Sequence, residues 1–218
     1  MCRSTGRPGD RYRPAVHLRL VDPGDLDALY DICLRTGDLG GDASHLHGDP
    51  RVLGEVFVAP YATFEPQHCF VVADDHDRPV GYCVSTLDSR VFDDTLDREW
   101  LPALRERYPM DGDGFTDKDL DTVRLIHQPF SHFPDQYDTH PSHLHIDLLP
   151  TAQGQGWGRT LIEAVETSLA DAGSTGVQLT VATGNERAVA FYRALDFVEL
   201  VDVAGAFIVF GHRLPRTR

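Results

Sequence analysis

The stretch His143-Leu-His-Ile-Asp-Leu-Leu-Pro-Thr-Ala-Gln-Gly-Gln-Gly-Trp-Gly158 constrains the fold most. An apolar strand runs into a proline turn, then three alternating glycines, then an amphipathic helix, so a strand must end where a helix begins. Gly154, Gly156 and Gly158 leave backbone N–H groups uncovered at that junction. Unpaired amides and the positive end of a helix dipole converge there, which makes a cradle for phosphate. Two other glycine motifs are excluded. A nucleotide-hydrolysing loop needs a lysine after the last glycine. A dinucleotide motif would place its last glycine on Arg159 and would sit in an N-terminal βαβ unit.

The pattern Gln153-x-x-Gly156-x-Gly158, preceded by Leu148-Leu149-Pro150, resembles the pyrophosphate loop of the GNAT superfamily of acyl-CoA-dependent N-acetyltransferases, [QR]-x-x-G-x-[GA] after a strand and a proline. One helix and one strand further on, Asn185-Glu-Arg-Ala-Val-Ala-Phe-Tyr-Arg-Ala-Leu-Asp-Phe197 resembles the next motif of that superfamily, N-x-x-A-x-x-F-Y-x-x-x-G-F. Asp196 stands where the superfamily has a glycine in the left-handed conformation, which aspartate tolerates better than most residues.

The hydrophobic periodicity along the chain supplies the rest of the frame. Val16 to Leu20 alternates as a first strand, and Asp22 or Asp25 caps a helix with an apolar stripe of Leu26, Leu29, Tyr30, Cys33 and Leu34. A polar connection over Gly37 to His47 leads to a helix from Arg51 to Val58 that Pro60 ends. Cys69 to Ala73 and Val80 to Ser85 are strands of a hairpin turned at Asp74 to Pro79. Val177 to Ala182, Val198 to Val203 and Phe207 to Phe210 are later strands. This order is that of the GNAT fold, an α/β (α+β) class with a mixed central sheet of six to seven strands flanked by helices. Over fifty residues separate the third strand from His143. That insertion, 88–141, carries helices over Asp88 to Tyr108 and Asp117 to His127, and a connection so long is expected to form a lid or a binding surface. One domain over 15–218 follows a polar tail, 1–14, expected to be disordered.

Tyr30-Asp-Ile-Cys-Leu-Arg-Thr-Gly-Asp38, Asp42-Ala-Ser-His-Leu46, Pro60-Tyr61 and Trp100-Leu-Pro-Ala-Leu-Arg-Glu-Arg-Tyr-Pro109 narrow the resemblance. They are similar to the acetyltransferase-like C-terminal domain of O-GlcNAcase and its bacterial single-domain relatives. The complete glycine loop implies binding of the cofactor, acetyl-CoA, here. The resemblance supplies no substrate and does not settle whether the domain turns over. It allows a catalytically silent acyl-CoA-binding or protein-interaction module as the alternative to an N-acetyltransferase.

A formal charge of −14 argues against non-specific binding to nucleic acid, whose phosphates are held by lysine and arginine. It suits a cationic or neutral acceptor, or simply a soluble surface. No apolar stretch approaches the roughly 20 residues of a membrane span, and no signal-peptide core opens the chain, so a cytoplasmic enzyme is expected. Cys2, Cys33, Cys69 and Cys83 form no C-x-x-C pair, and the last three lie in apolar runs as reduced core residues.

The resemblance implies roles for particular residues. The loop Gln153, Gly154, Gln155, Gly156, Trp157, Gly158 and Arg159 holds pyrophosphate, with a hydroxyl from Thr160. The backbone of Leu148 and Leu149 pairs with pantetheine and turns an N–H to the thioester oxygen. Asn185 anchors the pantetheine arm. Tyr192 protonates the coenzyme A sulfur, or else packs the last helix as an ordinary aromatic.

The base is read from the strand. His143, His145 and Asp147 share one face of it and line a cleft, or else pair with one another and with the insertion. Asp147, nearest the cofactor end, is the first candidate base, with His145 and His143 relaying a proton. These three alternate residues span about 14 Å, too far to share one ion; a two-histidine metal site, which needs ligands from outside the strand, is the remaining alternative, and no metal is expected. Asp38 and Asp42 hold a cationic amine or serve as turn residues. His45, His47, His127, His132 and His140 fall in loops on the presumed acceptor side. An acetyl-cysteine route is disfavoured because no cysteine falls in either motif.

Overall fold

The computed structural model describes residues 16–128 and 134–215. The expected tail, Cys2 and His132 lie outside them. Seven strands form one sheet in the order β1-β2-β3-β4-β5-β7-β6. They are β1 His17–Leu20, β2 Phe70–Ala73, β3 Pro79–Thr86, β4 Ser142–Leu148, β5 Gly176–Ala182, β6 Val198–Val203 and β7 Phe207–Arg213. All neighbours run antiparallel except β4 and β5.

Side chains one position apart on a strand feed opposite layers. Val71, Tyr82 and Val84 enter one core and Val72, Cys83 and Leu144 the other. The first core lies under α1 (Leu26–Leu34), α2 (Val52–Phe57) and α3 (Ala59–Phe64). The second lies under α8 (Trp157–Asp171) and α9 (Glu186–Arg193). Asp22 opens the turn into α1, with its side chain accepting from Gly24 N–H and Asp25 reciprocating. Pro60 does not end a helix as expected. It sits in the first turn of α3, where its missing N–H has no intrahelical partner to lose.

The insertion is helical as expected over its described residues. α4 (Ser89–Thr95) runs through a wide i→i+5 turn at Leu96–Trp100 into α5 (Leu101–Arg107), and α6 spans Asp117–His127 behind a Thr116 cap. A short α7, Pro134–Tyr137, leads back to β4. Leu96, Leu101, Tyr108, Val123 and Ile126 are buried in the first core, so this segment thickens that layer. Cys33, Cys69 and Cys83 are buried free thiols. Among the described residues no helix is long and apolar enough to cross a membrane.

The parallel pair β4–β5 is joined only at Ser142↔Val177 and His143↔Gln178. Further along, β4 stays with β3 as far as Leu148, and β5 stays with β7 as far as Ala182. Each strand keeps its outer neighbour, so the sheet parts between them. Leu144 to Asp147 and Leu179 to Ala182 become facing walls of a cavity of about 250 Å3.

Candidate functional site

At the open end of that split, Gly154 and Gly156 have φ of +69° and +89°. A side chain would find open space at both positions, so what selects glycine is the backbone angle. Gly158 is glycine for a different reason: a Cβ there would come within 3.1 Å of the Phe191 ring. Gly156 caps α8 without a side-chain hydrogen bond, so the amides of the first turn point out of the helix without a partner among the described residues. Gln153 holds the loop in this shape. Its amide donates to Leu148 O at 2.7 Å, and its carbonyl accepts from Arg187 at 2.7 Å.

These groups line a groove of about 530 Å3 that runs from the glycines past Ile146 and Leu148 to Tyr192. Arg159 and Arg187 flank it, two cations in a chain of net charge −14. Leu149 N–H donates to Val80 O at 2.9 Å, so the odd-numbered residues of β4 bond with β3. The peptide groups of Ile146 and Leu148 therefore turn to the parted edge, towards the groove.

Asp147 and Tyr192 line both the groove and the smaller cavity, and His145 lines the smaller one. The Tyr82 hydroxyl donates to Asp147 Oδ2 at 2.5 Å, and His145 Nε2 lies 3.0 Å from the same oxygen. Phe57 stacks on the His145 ring at 5.6 Å and 26°. Cys33, from α1, completes this wall. A ligating atom from each of Cys33, His145 and Asp147 lies within 4.8 Å of the other two. Burial, then the Asp147 charge, pushes the Cys33 thiol up. Burial likewise holds the Tyr192 phenol well above the ordinary tyrosine range, so it keeps its proton at neutral pH.

Several residues singled out in the sequence lie elsewhere. His143 is in the core: Tyr61 Oη lies 2.8 Å from its Nε2 and Ser89 Oγ 2.7 Å from its Nδ1. The Ser89 hydroxyl donates to Pro141 O, so Nδ1 of His143 carries the hydrogen and Nε2 accepts from Tyr61. Of the strand's three ionisable groups, His145 and Asp147 reach the cleft and pair with each other, while His143 pairs with the insertion. Leu149 is buried in the first core with its N–H already used. The Thr160 hydroxyl lies 3.4 Å from Gly156 O, and the residue faces a surface hollow near Leu18 and Phe70. Gln155 is exposed and donates to Thr151 O, and Trp157 packs against the second core.

Asp38 and Asp42 line neither cavity. Asp42 accepts from Ser44 N–H at 2.8 Å, and the Ser44 hydroxyl, then this backbone bond, hold its carboxyl below the usual range. The loop does reach the site, through Thr36, Leu39 and Gly40. Asn185 lines both cavities while its carbonyl caps α9 through Ala188 N–H at 3.1 Å. His47 lies 2.8 Å from Asp119, His127 lies 2.7 Å from Tyr108 O, and His140 is buried behind β5 and β7. Arg187, Tyr82, Cys33 and Leu39 carry no motif that the sequence alone exposes. Arg187 comes closest, since it lies inside the Asn185 motif.

The chain matches the model of the acetyltransferase (GNAT) family over residues 43–197. Among solved structures, SsHAT is 36% identical with a TM-score of 0.85, over 92% of this chain and 98% of that one. PH1933 from Pyrococcus horikoshii OT3 is 15% identical with a TM-score of 0.58, over 92% and 99% of the two chains. A GNAT superfamily phosphinothricin acetyltransferase from Sinorhizobium meliloti, solved in complex with AcCoA, is 13% identical with a TM-score of 0.53, over 91% and 88%. The last two share the fold.

Proposed function

The chain belongs to the acetyltransferase (GNAT) family, and on that premise we propose that it transfers an acetyl group from acetyl-CoA directly to an amine. The observation that carries this reading is the junction of β4 and α8. Uncapped amides behind two left-handed glycines open onto a groove that ends at Asp147 and Tyr192. Such amides suit a diphosphate. Gln153, Gly154, Gly156, Gly158 and Arg159 hold it, with Arg187 as a further cation. The parted edge of β4, with the Ile146 peptide and the Leu148 N–H turned to the groove, takes the pantetheine amides as an added strand, and one of its N–H groups faces the thioester oxygen.

Asp147 accepts the proton of the incoming amine, directly or through His145 and water. The amine nitrogen then bonds to the thioester carbon. The C–S bond breaks on collapse of the tetrahedral intermediate, and Tyr192 gives its proton to the departing thiolate. The smaller cavity, walled by Cys33, Leu53, Phe57 and His145, receives the acceptor.

Calorimetry with acetyl-CoA tests the first half, and absence of binding heat rejects the reading. Release of free thiol across a panel of amines tests the second half. Binding without turnover on any amine would leave an acyl-CoA-binding module in place of an enzyme.

A further inference from the structure

We propose that Cys33, His145 and Asp147 form a site for a single borderline-soft divalent cation of the Zn2+ type. The three residues come from two elements, the strand β4 and the helix α1 across from it. Their ligating atoms lie within 4.8 Å of one another on the wall of the smaller cavity. Tetrahedral zinc with sulfur, nitrogen and oxygen ligands needs them roughly 3.5 Å apart. His145 Nε2 and Asp147 Oδ2 are already at 3.0 Å, so side-chain shifts of about an ångström close the set.

The chemistry of the three donors selects the ion. A thiolate and an imidazole disfavour Mg2+ and Ca2+, which take oxygen, and suit zinc. Three protein ligands leave a fourth position, and here it opens into the cavity, as in zinc sites that keep one exchangeable ligand. The surroundings also hold the ligands. Tyr82 fixes the Asp147 carboxylate by its hydrogen bond, and Phe57 fixes the plane of the His145 ring. The thiol of Cys33 must give up its proton to the medium as the cation enters. Where acetyl transfer holds, an ion here occupies Asp147 and His145 and blocks the base. That consequence rests on the proposed function, whereas binding itself does not.

The test uses the full chain, stripped with chelator, without acyl-CoA. Titration with Co2+ is expected to raise a thiolate-to-cobalt charge-transfer band that saturates at one equivalent and is erased by Zn2+. Cys33→Ser should abolish the band, and His145→Gln should weaken Co2+ affinity by roughly tenfold or more. A wild type without the band, or a band that survives Cys33→Ser, overturns the site. Should Cys33→Ser fail to fold, the partly exposed His145 decides: unchanged affinity in His145→Gln overturns it as well.

Discussion

Tyr82 and Asp147 face each other across the antiparallel pair β3–β4, and the buried phenol donates to the carboxylate at 2.5 Å. The hydrogen bond fixes the orientation of the carboxylate at the cleft. Asp147→Asn should therefore lower kcat by roughly 10²–10⁴-fold while leaving acetyl-CoA affinity unchanged, as measured by steady-state rates and calorimetry. Tyr82→Phe keeps the ring and removes the donor. Its kcat should fall with the KM for acetyl-CoA unchanged, and an equal kcat would mean that the phenol does not position the carboxylate.

Tyr192 packs edge-on against Phe197 and beside Phe210, at 5.4 and 5.7 Å. Tyr192→Phe preserves that packing, so the melting temperature should hold. Loss of the proton donor should lower kcat by roughly 10²-fold or more, with the KM for acetyl-CoA unchanged. Equal kcat in the two proteins would leave Tyr192 as an aromatic of the second core only.

Gly156 has φ of +89° and open space where a side chain would go. Gly156→Ala strains that backbone by about 1–2 kcal/mol at the turn that aims the first amides of α8. Gly114 has nearly the same angle, +90°, and the same open surroundings, but does not line the groove. Both alanine variants should lose comparable stability on thermal melting. Only Gly156→Ala should weaken acetyl-CoA binding, by roughly tenfold or more in calorimetry. Equal binding by the two variants would remove the loop from the phosphate site.

The order of elements along the chain and the glycine loop were legible because each rests on local rules. A strand, a proline and alternating glycines encode left-handed turns wherever they occur, and Thr116 and His127 bracket α6 by capping and charge. Asp196 adopts φ of +61°, the conformation its place in the second motif implies. The failures share one cause, which is register between distant segments. Nothing in Val80-Gly-Tyr-Cys-Val84 says that Tyr82 will sit opposite Asp147. Nothing near Cys33 places its sulfur against His145. The alternation of β4 gave its faces correctly. Which of its residues the insertion would cover was not encoded there: Ser89 and Phe92 enclose His143 and leave His145 and Asp147 at the cleft.

His140 is 3% exposed, with Nδ1 3.0 Å from Thr139 Oγ1 and Nε2 buried without a partner among the described residues. Burial holds its pKa below the ordinary 6.5, and the charges of Arg213 and His212 act in the same direction. The fold therefore carries a neutral ring, whereas the unfolded chain takes up a proton as pH falls through 6.5. Stability linked to this residue is present above that value and declines progressively below it. Asn in its place keeps an acceptor near Thr139 and does not titrate. Melting temperatures between pH 8 and about pH 5 should fall less steeply in His140→Asn than in the wild type, even if the variant is less stable at every pH. His68, also buried and also depressed, supplies the residual acid sensitivity that His140→Asn retains. Parallel curves for the two proteins would mean that the ring finds a partner for its proton in solution.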